Sequence, residues 1–284
     1  MFPANEVVLA IFRTYFDESG IHEGAPFCVV AGYIGTTKQW SAFETMWEPD
    51  AKAPGFHGRE FFIRDADGCR VGPYQGWSDA QADDYLNRLL SAVHKAGVVP
   101  IGGMVDAAAF RAYSEARRRF LTGGKLVHVG ESGKQRWNPL GKPSAPYFLA
   151  LMSVLAQSVS ATPSEFKVDF TLDRQQQFEG WAKDLCKCIQ EKWEPDESTR
   201  FGTVAFASRD DASPLQAADM LAHAWYEYGA RQGNISSEMH RILGSQRRDT
   251  LEFFTPAAMD KLIGTAPPQD GKTYTFPARE SFRR

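Results

Sequence analysis

Runs and alternations of apolar side chains predict the strands of this chain. The first run, residues 7–16, is almost continuously apolar and stops at Asp17, which is typical of a central strand buried on both faces. A later segment alternates polar and apolar side chains with the period of a strand and also ends in an aspartate, Asp173. The predicted strands cover residues 7–16, 26–35, 98–105, 165–172 and 201–207.

Apolar side chains three or four residues apart predict helices between the strands. Trp40, Phe43 and Trp47 indicate a short helix, which we expect Pro49 and Pro54 to end. A second helix is predicted between a capping box that starts at Ser78 and a closing glycine at Gly97. The remaining predicted helices cover residues 107–120, 146–160, 175–193 and 215–228, the last with Ser213 as its N-cap and Pro214 in its first turn.

Strands that alternate with helices indicate an α/β protein with a mixed β-sheet flanked by helices. We predict a single domain over residues 1–264 and an irregular tail over residues 265–284. Residues 122–146 are polar, rich in Gly and too long for an ordinary connection. With the helix before them they predict a polar, basic insertion at about residues 107–146 that is functional or mobile.

The composition excludes several classes of protein. Apolar residues make up 43% and charged residues 24%, and the mean hydropathy is -0.38, as in a water-soluble globule. The longest apolar stretch, residues 147–159, is shorter than the roughly 20 residues of a membrane-spanning helix, and no signal-peptide pattern opens the sequence. Cys186 and Cys188 would diverge on a helix, which argues against zinc. We expect a cytoplasmic protein with no membrane partner.

Two aspartates are the first candidates for chemistry. Asp17 and Asp173 both follow predicted strands, and functional groups in open α/β sheets gather at the carboxyl ends of strands. If the two strands are parallel neighbours, the carboxylates repel each other unless a cation or a proton lies between them. A metal ion resolves that repulsion. The alternative is that each aspartate only forms a turn or caps a helix.

A late predicted helix supplies a third carboxylate. Gln216, Asp219 and His223 lie at i, i+3 and i+7, so that one face carries an amide, a carboxylate and an imidazole. An aspartate in an otherwise apolar helix needs a partner if it is buried. A salt bridge or a solvent-facing carboxylate is the simpler interpretation. Gln216, His223 and the nearby Asp211 are second-rank candidates for contacts with a ligand.

The residues Tyr15 to Gly20, Asp173, and Ser213 to Asp219 resemble the motifs of the domain of unknown function 3800 family, which is assigned a ribonuclease H-like fold. The resemblance covers roughly residues 9–230 and includes a His/Glu element at residues 56–60. It implies an acidic cluster that holds one or two Mg²⁺ or Mn²⁺ ions for in-line hydrolysis of a phosphodiester, as in ribonuclease H-like nucleases.

The resemblance implies Asp17, Asp173 and Asp219 as metal ligands and catalytic residues. Glu18 or Glu60 would supply a fourth carboxylate, and Glu60 is preferred because Glu18 points to the opposite face if the strand continues. Either His57 or His223 is a candidate proton shuttle.

A local excess of basic residues lies within a chain whose formal net charge is -3. Such a segment suits the phosphate backbone of RNA or DNA, although a solvated helix face is an equal alternative. The candidate nucleic-acid contacts are Arg117, Arg118, Arg119, Lys125, Lys134 and Arg136, within a basic run from Arg111 to Lys142.

A metal-dependent nuclease is therefore the function that the sequence favours. Three alternatives stay open: a metal-dependent hydrolase of a small phosphoester, a non-catalytic module that binds nucleic acid or a partner, and a glycosidase with paired carboxylates.

Overall fold

The computed structural model of the chain describes residues 11–51, 55–129, 134–192, 200–244 and 251–265. Among these residues, six strands form one mixed sheet and two strands form a separate hairpin. The sheet contains β1 (Ile11–Ser19), β2 (Phe27–Thr36), β3 (Val99–Asp106), β6 (Lys167–Asp173), β7 (Phe201–Ala207) and β8 (Leu251–Phe254), and the hairpin contains β4 (Lys125–Val129) and β5 (Lys134–Asn138).

The strand order is β7-β6-β1-β2-β3-β8, and the directions of the strands divide the sheet. β1, β2 and β3 are antiparallel neighbours, whereas β6 runs parallel to β1 and β7 parallel to β6. Phe16 pairs with Leu172, so that β1 and β6 end at the same level of one edge. The predicted mixed sheet is confirmed, and β1 and β6 are the parallel neighbours that the two aspartates require.

Helices cover both faces of the sheet. They are α1 (Thr37–Ala51), α2 (Gly58–Phe62), α3 (Asp79–Ala96), α4 (Ala107–Ala112), α5 (Glu115–Leu121), α6 (Tyr147–Ala161), α7 (Glu179–Lys192), α8 (Ser213–Ala230), α9 (Ser237–Gly244) and α10 (Pro256–Gly264), with a 3-10 turn at Gly72–Tyr74. No helix in the described ranges is long and apolar enough to cross a membrane.

The central strands β1, β2 and β3 are buried on both faces over most of their length, which explains the continuous apolar run of β1. Tyr15 packs into a core with residues of α1, α3 and α8, whereas its neighbour Phe16 packs into a second core with residues of α6 and α7. Successive side chains of a strand point to opposite faces, so Asp17 belongs to the α8 side and Glu18 to the α6 side. The carboxyl end of β1 therefore lies between two helical layers, one that contains α8 and one that contains α6.

Several predicted boundaries hold and others are wrong. Ser78 caps α3 in a full capping box with Gln81, and Gly97 ends it in the left-handed conformation. The prediction that Pro49 ends α1 is wrong, because α1 continues through Pro49 to Ala51. Trp40, Phe43 and Trp47 are buried along this helix, and their packing outweighs the proline.

The described part of the basic insertion contains more secondary structure than its composition predicts. The expected helix at residues 107–120 is two helices, because Tyr113 is extended and Ser114 caps α5 through its hydroxyl. The polar stretch after α5 contains the hairpin of β4 and β5 rather than a loop alone. The N-cap of α8 is Ala212 and not Ser213, and Pro214 lies in the first turn as expected.

Some expectations fall outside the described ranges, and some elements were not foreseen. Residues 7–10 of the first predicted strand and residues 266–284 of the predicted tail lie outside the described residues. α2, α9, α10 and β8 have no counterpart among the predicted elements. These elements are short, and the tertiary contacts of α8 and β3 hold three of them in place.

Candidate metal centre at the carboxyl edge of the sheet

Three carboxylates converge where β1 and β6 end. Asp17, Glu18 and Asp173 each offer one oxygen, and these three atoms all lie within 4.8 Å of one another. Asp17 is only 8% exposed, and its Oδ1 accepts a hydrogen bond of 2.7 Å from the backbone N–H of Glu18. The parallel pairing of β1 with β6 places the first and third of these side chains side by side, as the sequence predicts.

Glu18 joins this group from the other face of the sheet. β1 continues to Ser19 and Glu18 is paired with Val30, so the backbone does not turn before it. Burial raises the pKa of Cys28 and Tyr147, on the α6 side, and the charge of Glu18 raises both further, so Glu18 lies near them. Because it lies at the end of the strand, its longer side chain reaches the edge where Asp17 and Asp173 lie.

The electrostatics of the group favour a bound cation. Burial raises the pKa of Asp17 well above its ordinary range, and the charges of Glu18, Asp219 and Asp173 raise it further. Burial and the charge of Asp173 likewise raise the pKa of Glu18, while a hydrogen bond with the Gln175 side chain opposes the shift. Four carboxylates therefore disfavour one another's ionised forms, which a proton or a metal ion relieves.

Asp219 approaches the group from α8 without belonging to it. Its Oδ2 accepts a hydrogen bond of 2.8 Å from the backbone N–H of Gly58, the first residue of α2. Burial raises the pKa of Asp219 and the Gly58 N–H opposes that rise. Its charge in turn raises the pKa of Asp17, Glu18 and Asp173, so it faces the edge from the α8 side.

The polar stripe of α8 mainly holds the segment before α2. Gln216 is 4% exposed, and its Oε1 accepts hydrogen bonds of 3.1 Å from both Trp47 Nε1 and the Phe56 N–H. An added Cβ at Gly58 would lie 2.8 Å from the Cβ of His223, so only glycine allows this close approach. Gln216 and His223 thus support the backbone of residues 56–58, which in turn holds Asp219.

The two candidate histidines have structural partners. His57 caps α2, and its Nδ1 accepts a hydrogen bond of 3.3 Å from the Glu60 N–H. The His223 ring stacks on Phe62 with centroids 5.5 Å apart, and burial lowers its pKa whereas Asp219 raises it. His57 precedes Gly58, which binds Asp219, and His223 lies one helical turn after Asp219. The role of either ring as a proton shuttle stays a prediction.

Glu60 and Asp211 do not join the three converging oxygens. Glu60 lies in the first turn of α2, beyond the Gly58 N–H that binds Asp219. Asp211 is exposed and accepts a hydrogen bond of 2.7 Å from the Ser208 hydroxyl, which lowers its pKa. It borders a separate polar cleft together with Glu44, Glu48 and Arg209. The preferred fourth carboxylate of the sequence is therefore farther from the group than Glu18.

The basic run divides into three parts. Arg119 is paired with Glu115, and the Arg117 guanidinium lies 5.8 Å from the centre of the Tyr113 ring. Arg118 lines a pocket together with Arg111, which lies on α4, and Lys142, which follows the hairpin. The side chains of Lys125, Lys134 and Arg136 lie outside the part of the chain that the structure describes.

The donor set fits a hard divalent cation. All the converging atoms are carboxylate oxygens, the ligands that Mg²⁺ and Mn²⁺ prefer, and no cysteine or histidine belongs to the group. Among the described residues, none of the four acids forms an ion pair with Lys or Arg within 4.0 Å. The arrangement can therefore bind a cation without first breaking a salt bridge.

Three contributions to the site were not foreseen from the sequence. Gln175, whose side chain opposes the rise in the pKa of Glu18, follows Asp173 by two residues, so its position after the strand was an available signal. Gly58 lies inside the His/Glu element, but its hydrogen bond with Asp219 and its close approach to His223 depend on contacts with α8. Arg111 and Lys142 bounded the basic run, but only the fold brings them together.

Comparison of the chain with family models, curated proteins and solved structures finds no match. What the structure establishes is an α/β protein with a six-stranded mixed sheet and an acidic group at the carboxyl edge of two parallel strands.

Proposed function

We propose that this protein is a divalent-metal-dependent nuclease that hydrolyses phosphodiester bonds of RNA or DNA, with a ribonuclease H-like fold of the domain of unknown function 3800 type. The observation that carries the proposal is the convergence of the Asp17, Glu18 and Asp173 oxygens within 4.8 Å. The position of Asp17 on a central strand, beside Asp173 on a parallel one, supports the fold that the resemblance implies.

In this proposal Asp17, Glu18 and Asp173 hold one or two Mg²⁺ or Mn²⁺ ions, and Asp219 completes the site from α8. Bound divalent ions would activate a water molecule and neutralise charge on the phosphoryl oxygens. The Gly58 N–H fixes the orientation of Asp219 through a bond of 2.8 Å. The Glu18 N–H does the same for Asp17 through a bond of 2.7 Å, so that two of the carboxylates are oriented before a ligand arrives.

The basic insertion supports a nucleic-acid substrate. α5 and the hairpin that follows it contribute Arg118, Lys125 and Lys134 to one continuous stretch of the chain. Lysine and arginine contacts with phosphates supply binding that does not depend on base sequence. A pocket of about 380 Å³ beside the acidic group favours the second candidate, hydrolysis of a small phosphoester such as a mononucleotide.

The test is cleavage of labelled RNA, DNA and hybrid duplex, and of mononucleotides, with Mg²⁺, Mn²⁺ or EDTA. We expect metal-dependent cleavage of a polymer that Asp17→Asn abolishes. Asp184→Asn is the matched control, because Asp184 is an exposed carboxylate on α7 and does not belong to the converging group.

Cleavage in EDTA, or full activity of Asp17→Asn, would exclude the mechanism. Turnover of mononucleotides alone would favour the small-phosphoester hydrolase. No Mn²⁺ binding by calorimetry, together with no cleavage, would leave the non-catalytic module.

A further inference from the structure

A second charged feature lies next to the acidic group. The pocket of about 380 Å³ is walled by the loop after β1, by Gln177 and Phe178 after β6, and by the start of α6. Both loops follow directly from the strands that carry Asp17 and Asp173. Cys28 of the pocket wall lies on β2, two residues before Val30, which pairs with Glu18. Burial and then the charge of Glu18 raise the pKa of both Cys28 and Tyr147.

Three cationic side chains line this pocket, and none of them forms an ion pair with a described carboxylate. They are Arg111, Arg118 and Lys142. Glu23 is the carboxylate among the lining residues, and it is exposed, so cations outnumber it. The pocket therefore carries net positive charge beside a group of net negative charge.

Backbone hydrogen bonds hold the two arginines in place. Arg111 Nη2 donates to the carbonyl of Ala25 at 2.5 Å, and Arg118 Nη1 donates to the carbonyl of Arg111 at 3.2 Å. The Nε of Arg118 is buried and has no hydrogen-bond partner among the described residues. A buried donor of this kind is costly unless a ligand accepts its hydrogen bond.

The third cation lies over an aromatic wall. Lys142 Nζ is 5.9 Å from the centre of the Phe178 ring, and Phe178 stacks on Tyr147 with centroids 5.0 Å apart. The pocket thus combines three cations, two of them held by backbone carbonyls, with an apolar surface. Its volume falls in the range of about 300–1,000 Å³ that is typical of small-ligand pockets.

We infer that this pocket binds a phosphate group of the substrate, one that adjoins the phosphoester at the acidic group. The inference rests on the proposed function for the neighbouring chemistry, but the binding itself does not require a metal. Arg and Lys are the side chains that recognise phosphate, and a planar guanidinium can donate two parallel hydrogen bonds to it. The phosphate is either a terminal group of a strand or an internal backbone phosphate.

The test measures binding in EDTA with the Asp17→Asn variant, so that neither metal nor cleavage enters. The probes are inorganic phosphate and one short oligonucleotide with a 5′-phosphate, a 3′-phosphate or neither, titrated at low ionic strength. We expect Lys142→Ala to weaken phosphate binding about tenfold, the loss typical of one charge-assisted contact. Arg118→Met should weaken it at least as much.

Lys183→Ala is the matched control. Lys183 Nζ also lies over an aromatic ring, 5.3 Å from the centre of Phe206, but Lys183 is outside the pocket. Circular dichroism and the Tm of each variant show whether it is folded, and Lys142→Gln repeats the test if Lys142→Ala is not.

Tighter binding of one phosphorylated end that is lost in Lys142→Ala identifies a terminal phosphate. Equal binding of all three oligonucleotides, still weakened by Lys142→Ala, identifies an internal one. Absence of phosphate binding, or an equal loss in Lys183→Ala, would overturn the inference. Phosphate binding without metal-dependent cleavage would instead refute the proposed function and still support the inference that the pocket binds phosphate.

Discussion

The acidic group lies at the ends of β1 and β6, and the loops that follow these two strands line the cationic pocket, so that two regions of opposite charge are neighbours. Burial raises the pKa of Asp17, Glu18 and Asp173 at the edge, and neighbouring carboxylates raise it further, whereas the cations of the pocket form no ion pair with a carboxylate among the described residues. Elsewhere on the surface opposite charges are paired. Arg88, for example, binds both Asp50 and Asp84.

Neither region uses the opposite charges of the other to form a salt bridge among the described residues. Pairing the carboxylates with the arginines would have relieved both regions, as it does around Arg88, yet the fold keeps them apart. A metal ion at one region and a phosphate at the other would satisfy both, and a metal-bound phosphoester supplies these two charges together. The following predictions test whether the two regions differ as this interpretation requires.

The largest effect is expected from Asp173→Asn, which removes one carboxylate of the converging group. We expect metal-dependent cleavage to fall by more than about 100-fold, because even partners that only orient metal ligands contribute about 10–100-fold. The measurement is the initial rate at saturating Mn²⁺. A rate equal to that of the unmodified protein would show that Asp173 is not part of the site and would contradict the proposed difference between the two regions.

Mn²⁺ should stabilise the protein at the acidic group. At a free concentration 100 times its Kd, a ligand that binds only the folded state adds about 2.7 kcal/mol to the free energy of unfolding. We expect this increase in urea titrations of the unmodified protein and its loss in Asp17→Asn. Lys142→Ala should keep it, and if that variant lost it as well, the two regions would not be separate.

Because it disturbs the segment whose backbone N–H binds Asp219, Gly58→Ala should lower the free energy of unfolding. Its Cβ would lie 2.8 Å and 2.9 Å from Cβ and Cγ of His223, so backbone or ring must shift at a cost of about 1–3 kcal/mol. Gly180→Ala is the matched control, since a Cβ there meets nothing within 4 Å and α7 gains from the alanine. Equal stability of both variants, measured in urea, would contradict the close approach.

The metal-free protein should lose stability as the pH rises above about 4. The folded-state pKa of Asp17, Glu18, Asp173 and Asp219 is raised mainly by burial, whereas the unfolded chain has ordinary values of about 4. Their contribution is therefore fully present below about pH 4 and is lost as the pH rises through the raised values. Urea titrations in EDTA at successive pH values test this, and Asp17→Asn should flatten the decline.

The smallest effect is expected from Glu60→Gln. Glu60 lies in the first turn of α2 and is not one of the three converging carboxylates. We expect its replacement to change the free energy of unfolding by no more than about 0.5 kcal/mol and to reduce cleavage far less than Asp173→Asn. A loss of cleavage comparable to that of Asp173→Asn would restore it as a ligand.

Most elements of the sheet could be predicted because their signals are local. β1, β2, β3, β6 and β7 all appear as apolar or alternating runs, and the capping box of α3 is read directly from Ser78 and Gln81. The continuation of α1 through Pro49 could not be predicted, since it depends on the burial of three aromatic side chains. The hairpin of β4 and β5 could not be predicted either, because its polar sequence resembles that of a loop.

The candidate site divides in the same way. The positions of Asp17 and Asp173 at strand ends are sequence information, and their contact required only that the two strands be parallel neighbours. Glu18 was placed on the opposite face by the period of the strand, and that reasoning neglects how far a long side chain reaches around an edge. Gln216 and His223 share a face with Asp219 as predicted, but their hydrogen bonds and packing support residues 56–58.

The sequence by itself determined an α/β chain whose carboxylates follow buried strands, because hydrophobic periodicity and strand ends are local properties. Only the tertiary structure decided which carboxylates meet, which helix face holds the Gly58 segment, and which three cations line one pocket. These decisions depend on strand order and on contacts between residues far apart in the chain. Such contacts form only when both faces of the sheet are packed.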